Sequence, residues 1–199
     1  MSSNVTDLID HVVGIAPGSA MDSVRAVRPA ARAHSQASYR ALFTPDDPAD
    51  VAPNERFALG AYIAGLHEAE ALRAHYAAEL AARSPGELGD AVGLATRMTR
   101  TTGPFGRFPP GPLSAEDTEG AVFDLDPGIA ARLGPRLTAA FAHAHMLVFH
   151  PRDATEAAFT PLFAAGWTTA GLVTLSQIVA FLTYQIRVVA GLRALATDA

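Results

Sequence analysis

Apolar positions recur at helical spacing along most of the 199 residues. No run of alternating β-branched and aromatic residues reaches five or six positions, so strands are not expected. Alanine, leucine and arginine fill the stretches between Pro/Gly breaks, a composition that favours helix. The pattern predicts short helices over Val5–Val13 and Ala20–Val27. A third starts at Pro29, which suits a first helical turn, and runs to about Leu42. Thr44–Pro53 reads as a loop. A central pair of helices is predicted over Asn54–Leu66 and Glu68–Arg83, with Asn54 as N-cap and Glu55 well placed against the helix dipole. The first of this pair is apolar almost all round, which implies deep burial. Ser84-Pro85-Gly86 ends the second, and a further helix covers Leu88–Thr99.

Arg100–Pro112 is the clearest irregular segment, and its Phe105 and Phe108 are expected to dock on protein. Asp126 caps a helix with Pro127 at its first position, and that helix runs to about Phe149. His150-Pro151 breaks it. Arg152 or Asp153 starts another helix, which Gly166 ends. Thr168 or Thr169 opens the long final helix, with Gly171 a place for a bend. The fold class is therefore all-α. An apolar helix, a break and a second apolar helix at 54–83 echo weakly at 128–195, without amounting to a repeat.

Composition narrows the picture. Hydrophobic residues make up 49% and charged residues 18%, so a monomer's surface would be thinly charged and homo-oligomeric burial is expected. A net charge of −5 argues against general nucleic-acid binding. All 15 basic residues are arginine, so no lysine can form a Schiff base. With no cysteine there is no disulfide, thiolate nucleophile or thiolate metal ligand. The first residues lack a basic n-region, and the apolar stretch from Gly166 to Leu192 holds Gln177, Gln185 and Arg187. A secretory signal and a membrane span are both poor readings, and a cytoplasmic location is expected. No GxxxxGK[ST] or GxGxxG is present, and no cofactor is called for.

Two stretches, Glu55–Leu80 (ERFALGAYIAGLHEAEALRAHYAAEL) and Arg136–Leu195, together make up roughly two-fifths of the chain. The first pairs a buried helix with a polar helix start followed by a histidine. The second has a Pro-terminated helix, a short helix ending in Ala-Gly, and a final helix with an aromatic, an arginine and Gly-Leu. The chain thereby resembles the peroxidase-related branch of the AhpD-like, or carboxymuconolactone decarboxylase (CMD), superfamily. The resemblance implies an all-α core of two helical halves over 51–199, preceded by an N-terminal helical segment over 1–50. It also places His75 as the histidine that follows the family's Cys-x-x-Cys. Glu68 and Ala71 then stand where the thiols would lie, or Ala69 and Leu72 in a register shifted by one. Peroxide reduction needs one thiolate to attack and a second thiol to resolve the sulfenic acid. The resemblance therefore implies the fold without the peroxidase chemistry.

His67, Glu68, Glu70 and His75 are the densest polar cluster. On one continuous helix His67 and His75 share a face, and a carboxylate beside an imidazole suits general acid/base work. The alternative is a solvated helix start with ordinary ion pairs. His143, His145 and His150 lack the i, i+4 spacing of a helical metal pair, so no metal site is expected within that helix. One of the first two is expected as a hydrogen-bonded core or interface residue. Arg187, in an apolar helix, is expected to be buried and paired with Glu55, with Gln177 and Tyr184 on one side of any pocket there. Two functions follow. One is a thiol-independent acid/base enzyme acting on a small organic molecule. The other is a redox-silent partner or scaffold, associating with itself or with a cysteine-bearing relative.

Overall fold

A computed structural model describes residues 7–197. The predicted helix start at Val5 falls outside that range. All regular structure among the described residues is helical. The elements are α1 (Leu8–Val13), α2 (Ala20–Ala26), α3 (Pro29–Phe43), α4 (Pro53–Leu66), α5 (Glu70–Arg83), α6 (Leu88–Thr99), α7 (Pro127–Phe149), α8 (Thr160–Ala164) and α9 (Thr169–Thr197). Three 3₁₀ turns cover Pro112–Glu116, Pro151–Asp153 and Glu156–Phe159.

α4 is the axis of the molecule. Every residue from Arg56 to Leu66 is buried, and α5, α6, α7 and α9 all pack against the helix. Its small residues make this possible. A Cβ on Gly60 would stand 2.6 Å from a ring carbon of Tyr76 on α5, and one on Gly65 would stand 2.5 Å from the Thr96 methyl on α6. Larger residues interlock where space remains. Tyr62 stacks on Phe141 of α7 with ring centroids 4.0 Å apart, and Phe43 of α3 lies 4.7 Å from Tyr76 and 5.4 Å from Phe57. Leu8, Ile9, Tyr39 and Phe43 belong to the same hydrophobic cluster as α4 and α9, so the segments before and after residue 51 share one core.

Several polar groups drawn into this core are paired with one another or with the backbone. Tyr76 Oη donates to Gln185 Oε1 at 2.7 Å, and the Tyr62 and Thr99 hydroxyls lie 2.8 Å apart. Arg56, at the start of α4, is a buried arginine. It donates to the carbonyls of Val51 (2.9 Å), Leu42 (2.6 Å) and Pro48 (2.8 Å), which closes the loop between α3 and α4 over the start of α4. Beside it, Arg136 Nε bonds Glu55 Oε1 at 2.8 Å. Arg136 also donates to the Asp50 and Gly166 carbonyls and lies 4.3 Å above the Trp167 ring. Asp50 in turn accepts from the Thr168 hydroxyl at 2.7 Å, just ahead of α9. A second network, Arg25 and Arg32 with Asp7, Asp10 and Asp22, ties α1, α2 and α3 together.

The element order agrees with the sequence pattern, and four local expectations are corrected. Pro53 is the first residue of α4, so Ala52 rather than Asn54 is the cap, and Glu55 Oε2 accepts from the Ala52 N–H at 2.9 Å. α5 starts at Glu70, because the chain turns sharply at Glu68, whose φ is +56°. The helix after His150 reduces to two 3₁₀ turns and the short α8. Finally, α7 is two helical pieces: Gly134 sits at φ 76°, ψ 165°, and Pro135 restarts the helix with a φ it already favours. That restart turns Arg136 toward Glu55. Phe105 and Phe108 dock on their own chain, Phe105 against His150 (5.2 Å between ring centroids) and Phe108 under the Arg152 guanidinium at 4.0 Å.

Because Arg56 answers three carbonyls in a closed environment, Arg56→Met removes all three donors at once. A buried acceptor left unpaired costs about 1–3 kcal/mol, so the variant should lose about 3 kcal/mol or more in urea unfolding. A loss under about 1 kcal/mol would show that water replaces the guanidinium freely.

Candidate functional site

The acid/base cluster expected at the α4–α5 junction does not assemble. The turn at Glu68 takes His67 off α5, so His67 and His75 do not share a helix face. His67 ends α4. Its Nε2 is buried and meets no hydrogen-bond partner among the described residues. Burial and then the positive charge of Arg187 push its pKa below the usual 6.5. His75 faces α3 instead, where Nε2 lies 3.0 Å from the Tyr39 hydroxyl. Burial lowers its pKa, partly opposed by the negative charge of Glu79. Burial also raises the Tyr39 pKa, so Tyr39 and His75 form a neutral pair near pH 7.

Glu68 and Glu70 lie elsewhere, at a cleft of about 420 Å³ between α5 and α6 that neither His67 nor His75 lines. Glu70 is exposed and holds Arg73 through two hydrogen bonds of 2.8 and 2.6 Å, while Glu68 pairs with Arg100 at 3.3 Å. These are ordinary solvated ion pairs, worth little each. Arg97 extends into the same cleft, whose walls include Gly65, Gly89 and Gly93.

Arg187 is also corrected. It is exposed and donates to the Thr183 carbonyl one turn earlier at 3.1 Å. Its expected partner, Glu55, is taken by Arg136. The two halves of the expectation went to different residues: burial to Arg56 and the Glu55 bond to Arg136. Tyr184 is exposed, and Gln177 lines the groove described next. Gln185 is the buried polar residue of α9.

A large apolar groove lies between the second half of α7, the 3₁₀ turn Glu156–Phe159, α8 and α9. One part encloses about 750 Å³ and an adjoining part about 450 Å³, with Phe159, Ser176 and Ala180 common to both. The walls are mostly apolar, as binding pockets for small molecules usually are. His143 is the buried polar side chain of the larger part, beside Thr155, Glu156, Ser176 and Thr183. It is 5% exposed, and neither ring nitrogen has a hydrogen-bond partner among the described residues. Its ring packs on Phe159 with centroids 5.6 Å apart, and burial lowers its pKa. The other two histidines of this region are structural. His145 Nε2 lies 3.0 Å from the Thr99 carbonyl. His150 bridges Asp153 (3.1 Å) and the Ala121 carbonyl (2.8 Å), pinning the irregular segment before α7.

Of His143 and His145, one of which was expected to be a hydrogen-bonded core or interface residue, His145 is bonded within the core, and His143 has no hydrogen-bond partner among the described residues. The available signal was its place on an apolar helix, three and four residues before Met146 and Leu147, which line the same groove wall. No family model, curated protein or solved structure matches the chain.

Two predictions follow from these placements. Arg187→Leu should change stability by no more than about 0.5 kcal/mol, because an exposed guanidinium bound only to its own helix carries little. A shift in denaturant midpoint corresponding to 3 kcal/mol would restore the buried-pair reading. The second concerns pH. His67, His75, His143 and His145 all have folded pKa values below the ordinary 6.5, each chiefly through burial. Below pH 6.5 the unfolded chain therefore binds more protons than the folded one. The stability held by these neutral rings is complete above that pH and is lost as pH falls through the lower folded values. Urea unfolding across pH 7 to 5 should show this decline, and His143→Leu should make it shallower.

Proposed function

We propose that this chain is a thiol-free protein of the AhpD-like helical type that works by association rather than by redox turnover, with its α8–α9 face covered by a second copy of itself. The observation that carries this reading is the state of α9. Its most apolar 18-residue window has a mean hydropathy of 1.5, enough in length and composition to cross a membrane, yet only 44% of that window is buried within the chain. Phe163 on α8 and Val173 on α9 stand 50% and 53% exposed along the groove. An apolar face of this kind calls for a cover. Self-association through one patch meeting its like is the commonest solution among soluble oligomers.

The dispersal of the expected acid/base residues supports the same choice. Glu68 and Glu70 are occupied by arginines at the surface, and the two histidines face different elements. With no cysteine, the chain supplies neither an attacking nor a resolving thiol.

Sedimentation at micromolar concentration should give a stable oligomer, and Phe163→Glu with Val173→Glu should dissociate it while leaving the helical circular dichroism intact. A wild-type monomer would sink the proposal. Pelleting with phospholipid vesicles would move the α9 face to a membrane surface, and an oligomer forming only with a cysteine-bearing relative would make that relative the partner. The protein should also fail to sustain thioredoxin-dependent hydroperoxide reduction.

A further inference from the structure

We infer that the groove between α7 and α9 is a binding site for a small, uncharged, largely apolar molecule carrying one hydroxyl-type group, which His143 recognises. This does not rest on self-association: the hydroxyl-binding end lies around His143, away from the exposed Phe163 and Val173.

The first support is an unanswered polar group. A neutral imidazole offers one N–H donor and one lone-pair acceptor. Among the described residues, His143 alone has both ring nitrogens buried and unbonded. Leaving buried donors and acceptors unpaired is costly, and native proteins rarely do so without a functional reason. Other buried polar side chains near the core find partners: Arg56, Tyr76, Gln185 and His145 are all bonded. His143 therefore stands out within the same core.

The second support is the space beside it. A cavity of about 750 Å³ falls within the range that takes drug-sized ligands. Met146, Leu147 and Val179 supply apolar walls, and Ser176 and Thr183 add hydroxyls. Both His143 nitrogens are buried, and the imidazole packs against the Phe159 ring with centroids 5.6 Å apart. Phe159, on a 3₁₀ turn with no fully buried residue, is half-buried against the core, so a ligand reaching the imidazole must displace its ring. Its ring occupies the place over the imidazole that a ligand's own aromatic or aliphatic body would take.

The third argument selects the ligand's charge. No arginine lines this part of the groove, and the carboxylate that does, Glu156, is exposed to solvent. An anion would enter a desolvated site with no countercharge and would meet a like charge on the way. A hydroxyl suits the site better, since it can donate to the bare ring nitrogen or accept from the protonated one. A purely apolar body would fill the groove but leave both nitrogens unpaired.

Three probes of one shape separate these cases: 2-naphthol, naphthalene and 2-naphthoate, titrated into the full chain and followed by calorimetry and by the imidazole resonances of His143. The expected result is that 2-naphthol binds at least about ten-fold more tightly than either of the others. His143→Leu should lose that preference. It should also raise the melting temperature of the unliganded protein, because it replaces an unbonded polar ring with a side chain the groove accepts. Ala180→Phe, which fills the groove from α9 and leaves His143 in place, should abolish binding of all three. His143→Leu should leave the sedimentation of the wild-type assembly unchanged. Equal binding of naphthalene and 2-naphthol, or no binding of any probe, would overturn the inference. So would a His143→Leu protein that melts lower than wild type, since the imidazole would then be a bonded structural group.

Discussion

Everything in this fold depends on burying α4 on all sides. A helix with no polar face cannot rest on a surface, so α5, α6, α7 and α9 must surround it. Encirclement needs close approach, which Gly60 and Gly65 allow, and it leaves the helix start crowded with backbone polar groups. Arg56 answers the carbonyls of the incoming loop, and Glu55 answers the Ala52 N–H and Arg136 together. The adjacent residues Glu55 and Arg56 thus divide the work, one facing the rest of the molecule through a charge and the other closing its own loop through neutral acceptors.

Much of this was legible in the sequence. Helix-favouring composition between Pro/Gly breaks placed α3, α4 and α6 almost to the residue, and Asp126-Pro127 marked the start of α7 through its capping chemistry. The errors share a cause: they lie where backbone conformation departs from what side-chain type suggests. Glu68 adopts a positive φ although it is not glycine, and one such residue moved His67 off the helix that carries His75. Gly134-Pro135 was read through because apolar spacing continues across it, whereas the backbone restarts there. Arg187 and Arg56 show the limit of a correct rule. A buried arginine does need a carboxylate or several carbonyls, but the surrounding hydrophobicity of α9 singled out the wrong one, since that helix has an exposed side that holds Val173, Tyr184 and Arg187.

Glu68 and Glu70 at the surface pair with arginines, whereas His67, His75, His143 and His145 are drawn into the interior, where burial lowers the pKa of each. Inside, each ring has a distinct task. His75 receives Tyr39 against α3, while His145 and His150 anchor the irregular stretch that crosses from α6 to α7. That stretch has little helical structure of its own, so its position relies on these side-chain bonds and on the docking of Phe105 and Phe108.

Arg136 has a consequence for the order in which the chain folds. Its partners lie 81 residues away at Glu55, 86 at Asp50 and 30 at Gly166. Closing loops of that length is entropically late work, done after the local helix pairs have formed. The guanidinium can bond all of them only once the α4 entrance, the α7 restart and the turn into α9 have met in register. Interactions absent from the transition state act mainly on the rate of unfolding. Arg136 is in this sense a latch: it contributes little to how quickly the chain finds its fold and much to how long it stays there.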